Sequence, residues 1–79
     1  MRIDKYLKVS RLIKRRTVAA EACDGGRVSV NGKKVKSSAN VKPGDEVEIR
    51  FGERTLRVEV LSVEEHVTKE GSAALYREI

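Results

Sequence analysis

Residues 2–36 read RIDKYLKVSRLIKRRTVAAEACDGGRVSVNGKKVK, and this stretch constrains what the rest of the chain can be. Its first part, residues 2–16, sets seven bases (Arg2, Lys5, Lys8, Arg11, Lys14, Arg15 and Arg16) against one acid, Asp4, for a net charge of +6. Ile3 pairs with Tyr6 at i,i+3 and with Leu7 at i,i+4, the spacing of an inward stripe on a short helix over Arg2 to Val9. Lys5 and Lys8 fall off that stripe. Asp4 lies in the first turn, where the helix dipole favours a negative charge.

Ser10 to Arg16 reads as the helix end and a connector, with Leu12 and Ile13 as apolar anchors. Thr17 is the expected N-cap of a second helix running to about Asp24, with Val18, Ala19, Ala22 and Cys23 spaced for one buried face and Gly25 as its left-handed stop. Small residues on that face allow close approach to the first helix. The arginines just before it lie near a helix start, where backbone N–H groups and side chains can share a phosphate.

After Gly26, the run Arg27-Val28-Ser29-Val30-Asn31-Gly32-Lys33-Lys34-Val35 carries a strong hairpin signal. Asn-Gly between alternating residues suits a type I′ turn, whose two central residues need positive φ. A two-residue loop pairs Val30 with Lys33 and puts Val28 and Val35 on the core side, so Arg27, Lys33 and Lys34 extend the basic surface. Val41-Lys42-Pro43-Gly44-Asp45 is a Pro-Gly turn. Val47, Ile49 and Phe51 then alternate with Glu48 and Arg50, and Leu56, Val58 and Val60 alternate with Arg57 and Glu59, two strands joined at Gly52-Glu53. The adjacent Val60 and Leu61 break the phase, which predicts a bulge or strand end. Beyond Glu64 the pattern weakens, and Ala73-Ala74-Leu75-Tyr76 reads equally as a helical turn or an irregular tail. The expected fold is therefore α+β: two short N-terminal helices packed on a small, mostly antiparallel sheet, with a short irregular or helical C-terminal tail. Residues 1–64 form the domain in this reading and residues 65–79 a C-terminal extension.

At 79 residues the chain is near the size where folding buries only about 60–65% of the unfolded surface, which disfavours a large enclosed active site. The charge is lopsided: residues 1–44 carry 12 bases and 3 acids, residues 45–79 carry 5 bases and 9 acids. One part of the molecule suits a polyanion and the other does not. A membrane-surface helix would need large apolar residues opposite its bases, and Ile3, Tyr6, Leu7, Leu12 and Ile13 suffice only to pack the helix on its own domain. Nucleic acid is the better partner. The single Cys23 cannot form an intramolecular disulfide, and no apolar run resembles a membrane span or a signal segment, so the cytoplasm is expected.

The succession Arg2-Ile3-Asp4-Lys5-Tyr6-Leu7, Ser10-Arg11, Arg16-Thr17, Gly26-Arg27-Val28, Val30-Asn31-Gly32 and Val41-Lys42-Pro43-Gly44-Asp45 resembles the S-four-type RNA-binding domain, whose core is the alpha-L motif. The resemblance covers about residues 1–52. It implies an RNA surface on Arg2, Lys5, Lys8, Ser10, Arg11, Arg16 and Thr17 from the helices and on Arg27, Asn31 and Lys33 from the strands. Lys14, Arg15 and Lys34 join this set on charge. Asn31 also has a purely conformational role open to it, as a turn residue. Among short members of that family the chain is similar to those of ribosome-associated quality control. That likeness implies binding to the large ribosomal subunit through ribosomal RNA and tRNA; no cofactor is expected, and the chain is expected to be a monomer. It also implies support for alanine tailing of stalled chains beside a separate tail-elongation factor.

Other functions fit the residues less well. His66 lies among acids with no triad spacing, and Cys23 has no metal-ligand companion, so an enzyme is not expected and the two read as a surface residue and a small buried one. A DNA-reading helix-turn-helix would need polar groups on its second helix, where only Glu21 is available. A single-strand stacking sheet needs more aromatics on one face than Tyr6, Phe51 and Tyr76 supply. A ribosome-assembly factor or a constitutive ribosome-associated protein fits the same residues and stands as the alternative.

Overall fold

The computed structural model describes residues 1–64 and 71–79. Helix α1 (Ile3–Val9) buries Ile3, Tyr6 and Leu7, the stripe expected from their spacing. Its start is fastened to the segment at residues 39–41, where the Ile3 N–H donates to the Ala39 carbonyl at 2.7 Å and the Val41 N–H to the Met1 carbonyl at 2.9 Å. At its end Ser10 is the C-cap, and Arg11 turns the chain at φ +62°, with its N–H on the Lys8 carbonyl. That is the left-handed position where glycine is the common occupant.

Helix α2 (Arg16–Asp24) begins earlier than expected. The Arg15 carbonyl accepts the first helical bond, from the Ala19 N–H at 3.0 Å, so Arg15 is the N-cap and Thr17 lies exposed inside the first turn. Arg16, the first residue of the helix, also reaches Asp4 of α1, with Nε 3.5 Å from the carboxylate. At the other end the left-handed residue is Gly26 (φ +79°), whereas Gly25 keeps φ −82° as the cap. The Gly26 N–H bonds the Cys23 carbonyl and the Arg27 N–H the Ala22 carbonyl, so the chain completes one more helical residue before turning.

Strands β1 (Val28–Val30), β2 (Lys33–Lys34), β3 (Glu46–Phe51), β4 (Arg54–Val60) and β5 (Tyr76–Glu78) form one antiparallel sheet in the order β2-β1-β3-β4-β5. The β1–β2 turn is type I′, with Asn31 at φ 51° and Gly32 at φ 84°, and Val30 pairs with Lys33. Alternation delivers Val28, Val47, Ile49, Val58 and Val60 to the inner face, where both helices cover them together with Ile13, Ala19, Ala22, Cys23 and Leu75. Each fully buried large side chain here contributes on the order of 1.5–3 kcal/mol. On the outer face the acids are matched: Arg57 bridges Glu46 and Glu48, and Arg77 pairs with Glu59.

Strand β4 stops at Val60, as the Val60-Leu61 phase break predicts. The chain end is more ordered than its sequence suggests. A 3-10 turn (Gly71–Leu75) leads into β5, which pairs with β4 through Val58–Glu78 and Val60–Tyr76. The Leu75 side chain is buried, and its carbonyl accepts from the Tyr6 hydroxyl at 2.8 Å and from the Leu61 N–H at 2.9 Å. The tail thus ends as an edge strand, because β4 offers an open row of backbone groups that a short tail can satisfy.

Candidate nucleic-acid interface

One buried acid organises the helical bases. Asp4 is only 3% exposed, and its carboxylate lies 3.2 Å from the Arg2 guanidinium and 3.5 Å from Arg16 Nε. Its second oxygen accepts the Lys5 N–H at 2.7 Å. Both arginine side chains are half exposed, so Asp4 grips each from the inside while the guanidinium edges stay open to solvent. A planar guanidinium has five donors, and one carboxylate contact leaves donors for a phosphate.

Around this centre the helical part of the predicted set separates by environment. Lys8, Arg11, Lys14, Arg15 and Thr17 are exposed, and among the described residues no acid pairs with any of these four bases. Lys5 is half buried on α1. Ser10 departs from expectation: it is 2% exposed and its hydroxyl donates to the Leu7 carbonyl, closing α1 and facing the interior. A small hydroxyl at a helix end satisfies a terminal carbonyl, which is the physical reason the residue turns inward.

On the strand side, Arg27, Lys33 and Lys34 are exposed, with Lys33 and Lys34 on the sheet-edge strand β2. Asn31 has its side chain committed. Its amide donates to Asp45 at 3.2 Å and accepts the Glu46 N–H at 3.0 Å, tying the hairpin tip to the Pro43-Gly44 turn. Together with φ 51°, this accounts for the residue by conformation alone.

The structure also gathers residues that the sequence reading assigned elsewhere. Val18 and Phe51, expected in the core, are 45% and 44% exposed. Val18 is next to buried Ala19, so it faces away from the sheet's centre, and Phe51 ends β3 at a tip the helices do not cover. The two line an open groove of about 470 Å³ with Leu12, Lys14, Arg27 and Arg50. Arg50 could be found only from the three-dimensional arrangement, since in sequence it reads as an outward strand residue.

Two described groups have shifted proton affinities, and both are buried. Burial, reinforced by Asp24 and Asp4, pushes the Cys23 thiol up to about 11, and burial with Tyr76 nearby raises the Tyr6 phenol well above its ordinary value. A thiol so placed is inert at neutral pH. Among the described residues no cluster of His, Cys, Asp or Glu could hold a metal ion, and no helix is long and apolar enough to cross a membrane. Glu65 and His66 lie outside the described residues.

Comparison with known proteins matches this architecture. Residues 1–47 fit the S4 domain, the S-four module anticipated from the motifs. The chain is 53% identical over 76 residues to the RQC P-site tRNA stabilizing factor of Bacillus subtilis, covering 96% of this chain and 88% of that protein. It is 57% identical over 76 residues to the protein of the same name from Streptococcus pneumoniae, covering 96% and 86%. Among solved structures, the trimeric structure of Vibrio cholerae heat shock protein 15 superposes with a TM-score of 0.92 at 29% identity, covering 100% of this chain and 81% of that one. With its two helices on an antiparallel sheet and matches that span nearly its whole length, the chain belongs to the S4-domain proteins and, among them, to the RQC P-site tRNA stabilizing factor family.

Proposed function

We propose that this protein binds structured RNA on the large ribosomal subunit, contacting ribosomal RNA and tRNA, and holds that tRNA during ribosome-associated quality control. The observation that carries this reading is the Asp4 anchor: one buried carboxylate holds both Arg2, the N-cap of α1, and Arg16, the first residue of α2, while each arginine side chain stays half exposed. Lys8, Arg11, Lys14 and Arg15 of the same helical segment are exposed bases, as are Arg27 just before β1 and Lys33 and Lys34 on the edge strand β2. Such a surface recognises backbone and shape, as suits folded RNA whose deep groove excludes side chains.

The action is binding without chemistry. The protein works in the cytoplasm as a monomer, and a separate factor on the same subunit elongates the stalled chain with alanine while the tRNA is held. The name that the relatives share supports the tRNA-holding part of this reading, and the exposed bases Lys8, Arg11, Lys14 and Arg15 suit an RNA partner.

Sedimentation of tagged protein through sucrose gradients, with sequencing of the bound RNA, tests it. Enrichment on mature large subunits carrying tRNA, lost in Arg16→Ala, is the expected result. Arg2 still serves the Asp4 carboxylate in that variant, so the thermal midpoint should shift by only a few degrees. Enrichment on precursor particles would instead assign the protein to subunit assembly.

A further inference from the structure

The groove between the connector and the tip of the β3–β4 hairpin has a composition that the cationic surface alone does not require. Its floor and walls include Leu12, Val18 and the ring of Phe51, and its rim carries Lys14, Arg27 and Arg50. Phe51 is held at the hairpin tip opposite Arg54, where Gly52 at φ +60° makes the turn. Leaving a phenyl ring and a valine half exposed forgoes burial that the domain needs, and the three rim bases have no acid partner among the described residues.

We propose that this groove receives a single unpaired nucleotide of the bound RNA, with its base against Phe51 and Val18 and its flanking phosphates on Lys14, Arg27 and Arg50. The charge of the site selects this occupant. The lining residues contain three cations and no anion, which disfavours a cationic or neutral apolar peptide and favours a ligand that joins a flat apolar group to phosphate. Size agrees: about 470 Å³ is the volume of a small-ligand site, whereas a docking helix needs a longer trough for its i, i+4 and i+7 anchors. Lys14 and Arg27 also belong to the basic surface already assigned to RNA, so the groove continues it. The inference rests on the RNA-binding reading and sharpens it: duplex and phosphate are gripped by Arg2, Arg16 and their neighbours, and an extrahelical base is read beside them.

The test uses the full chain and two RNA hairpins of the same stem, one fully paired and one with a single bulged 2-aminopurine. Wild-type protein should bind the bulged hairpin roughly tenfold more tightly and change the 2-aminopurine fluorescence, consistent with stacking of one base on one half-open ring. Phe51→Ala should remove that preference while binding the paired hairpin as wild type does, and Phe51→Trp should keep it. Equal affinity of wild type for the two hairpins, or a preference that survives Phe51→Ala, overturns the proposal. Loss of the preference in both Phe51→Ala and Phe51→Trp would also overturn it, since a stacking surface tolerates the larger ring. Failure of wild type to bind either hairpin would reject the RNA-binding reading itself. If the hairpins are not distinguished and Phe51→Ala weakens association with intact subunits but not with the ribosomal RNA extracted from them, the groove holds a protein and the nucleotide assignment is wrong.

Discussion

Arg11 offers a direct test of whether this fold spends stability on its binding surface. It is exposed, has no acid partner among the described residues, and sits at φ +62° in the position that terminates α1. For a residue with a Cβ the left-handed region costs about 1–2 kcal/mol, a cost that glycine escapes. Glycine in turn loses roughly 0.5–1 kcal/mol more backbone entropy on folding. Arg11→Gly should therefore be more stable than wild type by about 0.5–1 kcal/mol, and Arg11→Ala, which keeps the Cβ, should be unchanged. For a domain of this size the difference is a rise of about 2–8 °C in thermal midpoint, well resolved by circular dichroism. Both variants should bind RNA more weakly and lower the log–log salt slope by roughly 0.7–0.9, the share of one phosphate. If Arg11→Gly melts no higher than Arg11→Ala, the left-handed turn carries no strain. If either binds RNA as wild type does, Arg11 does not contact the phosphate backbone.

Other perturbations separate structural from binding residues. Tyr6→Phe removes the hydroxyl that donates to Leu75 at 2.8 Å and should cost about 1 kcal/mol in chemical denaturation, with RNA affinity unchanged. Arg57→Ala breaks the bridge to Glu46 and Glu48 on the outer sheet face and should leave RNA affinity within about twofold in a filter-binding assay, because surface pairs of this kind are nearly neutral and remote from the basic helices. Native Cys23 should resist thiol reagents at pH 8, labelling at the rate of unfolding. Because burial raises its folded-state pKa from 9.0 to about 11, its stabilising effect is intact below pH 9 and is lost as pH climbs towards 11. Cys23→Ala should accordingly flatten the fall in stability over that window.

Much of the fold can be read from short-range rules. The Ile3, Tyr6 and Leu7 stripe, the Asn31-Gly32 turn and the alternation of Val47, Ile49, Val58 and Val60 all depend on spacing alone, and each occurs as its pattern dictates. The departures share a different character. The start of α2 at Arg16 instead of after Thr17 goes with a tertiary contact to a carboxylate 12 residues earlier in the chain, and the exposure of Val18 and Phe51 depends on how the helices lie over the sheet. The edge strand at Tyr76–Glu78 is three residues long, too short for alternation to declare itself, and forms because β4 has an open side. Ser10 illustrates the limit for the candidate site: beside Arg11 it reads as a polar residue of a basic loop, and its inward turn is visible only once the end of α1 is built.

Asp4 connects the fold to the surface it presents. A lone acid within seven bases reads in sequence as a dipole partner at a helix start, and it does occupy the first turn of α1. In the structure it is also the point at which the two helices are joined, since Arg2 precedes α1 and Arg16 opens α2. Without it, two guanidinium groups brought together by helix packing would repel. With it, like charges stand close enough to engage neighbouring phosphates with their geometry set in advance, which reduces the ordering cost of binding. The acid lowers the formal charge of the surface by one and in exchange fixes two of its arginines. The same pair also ties the first residue of α2 to the first turn of α1, so this part of the interface is assembled as the two helices pack.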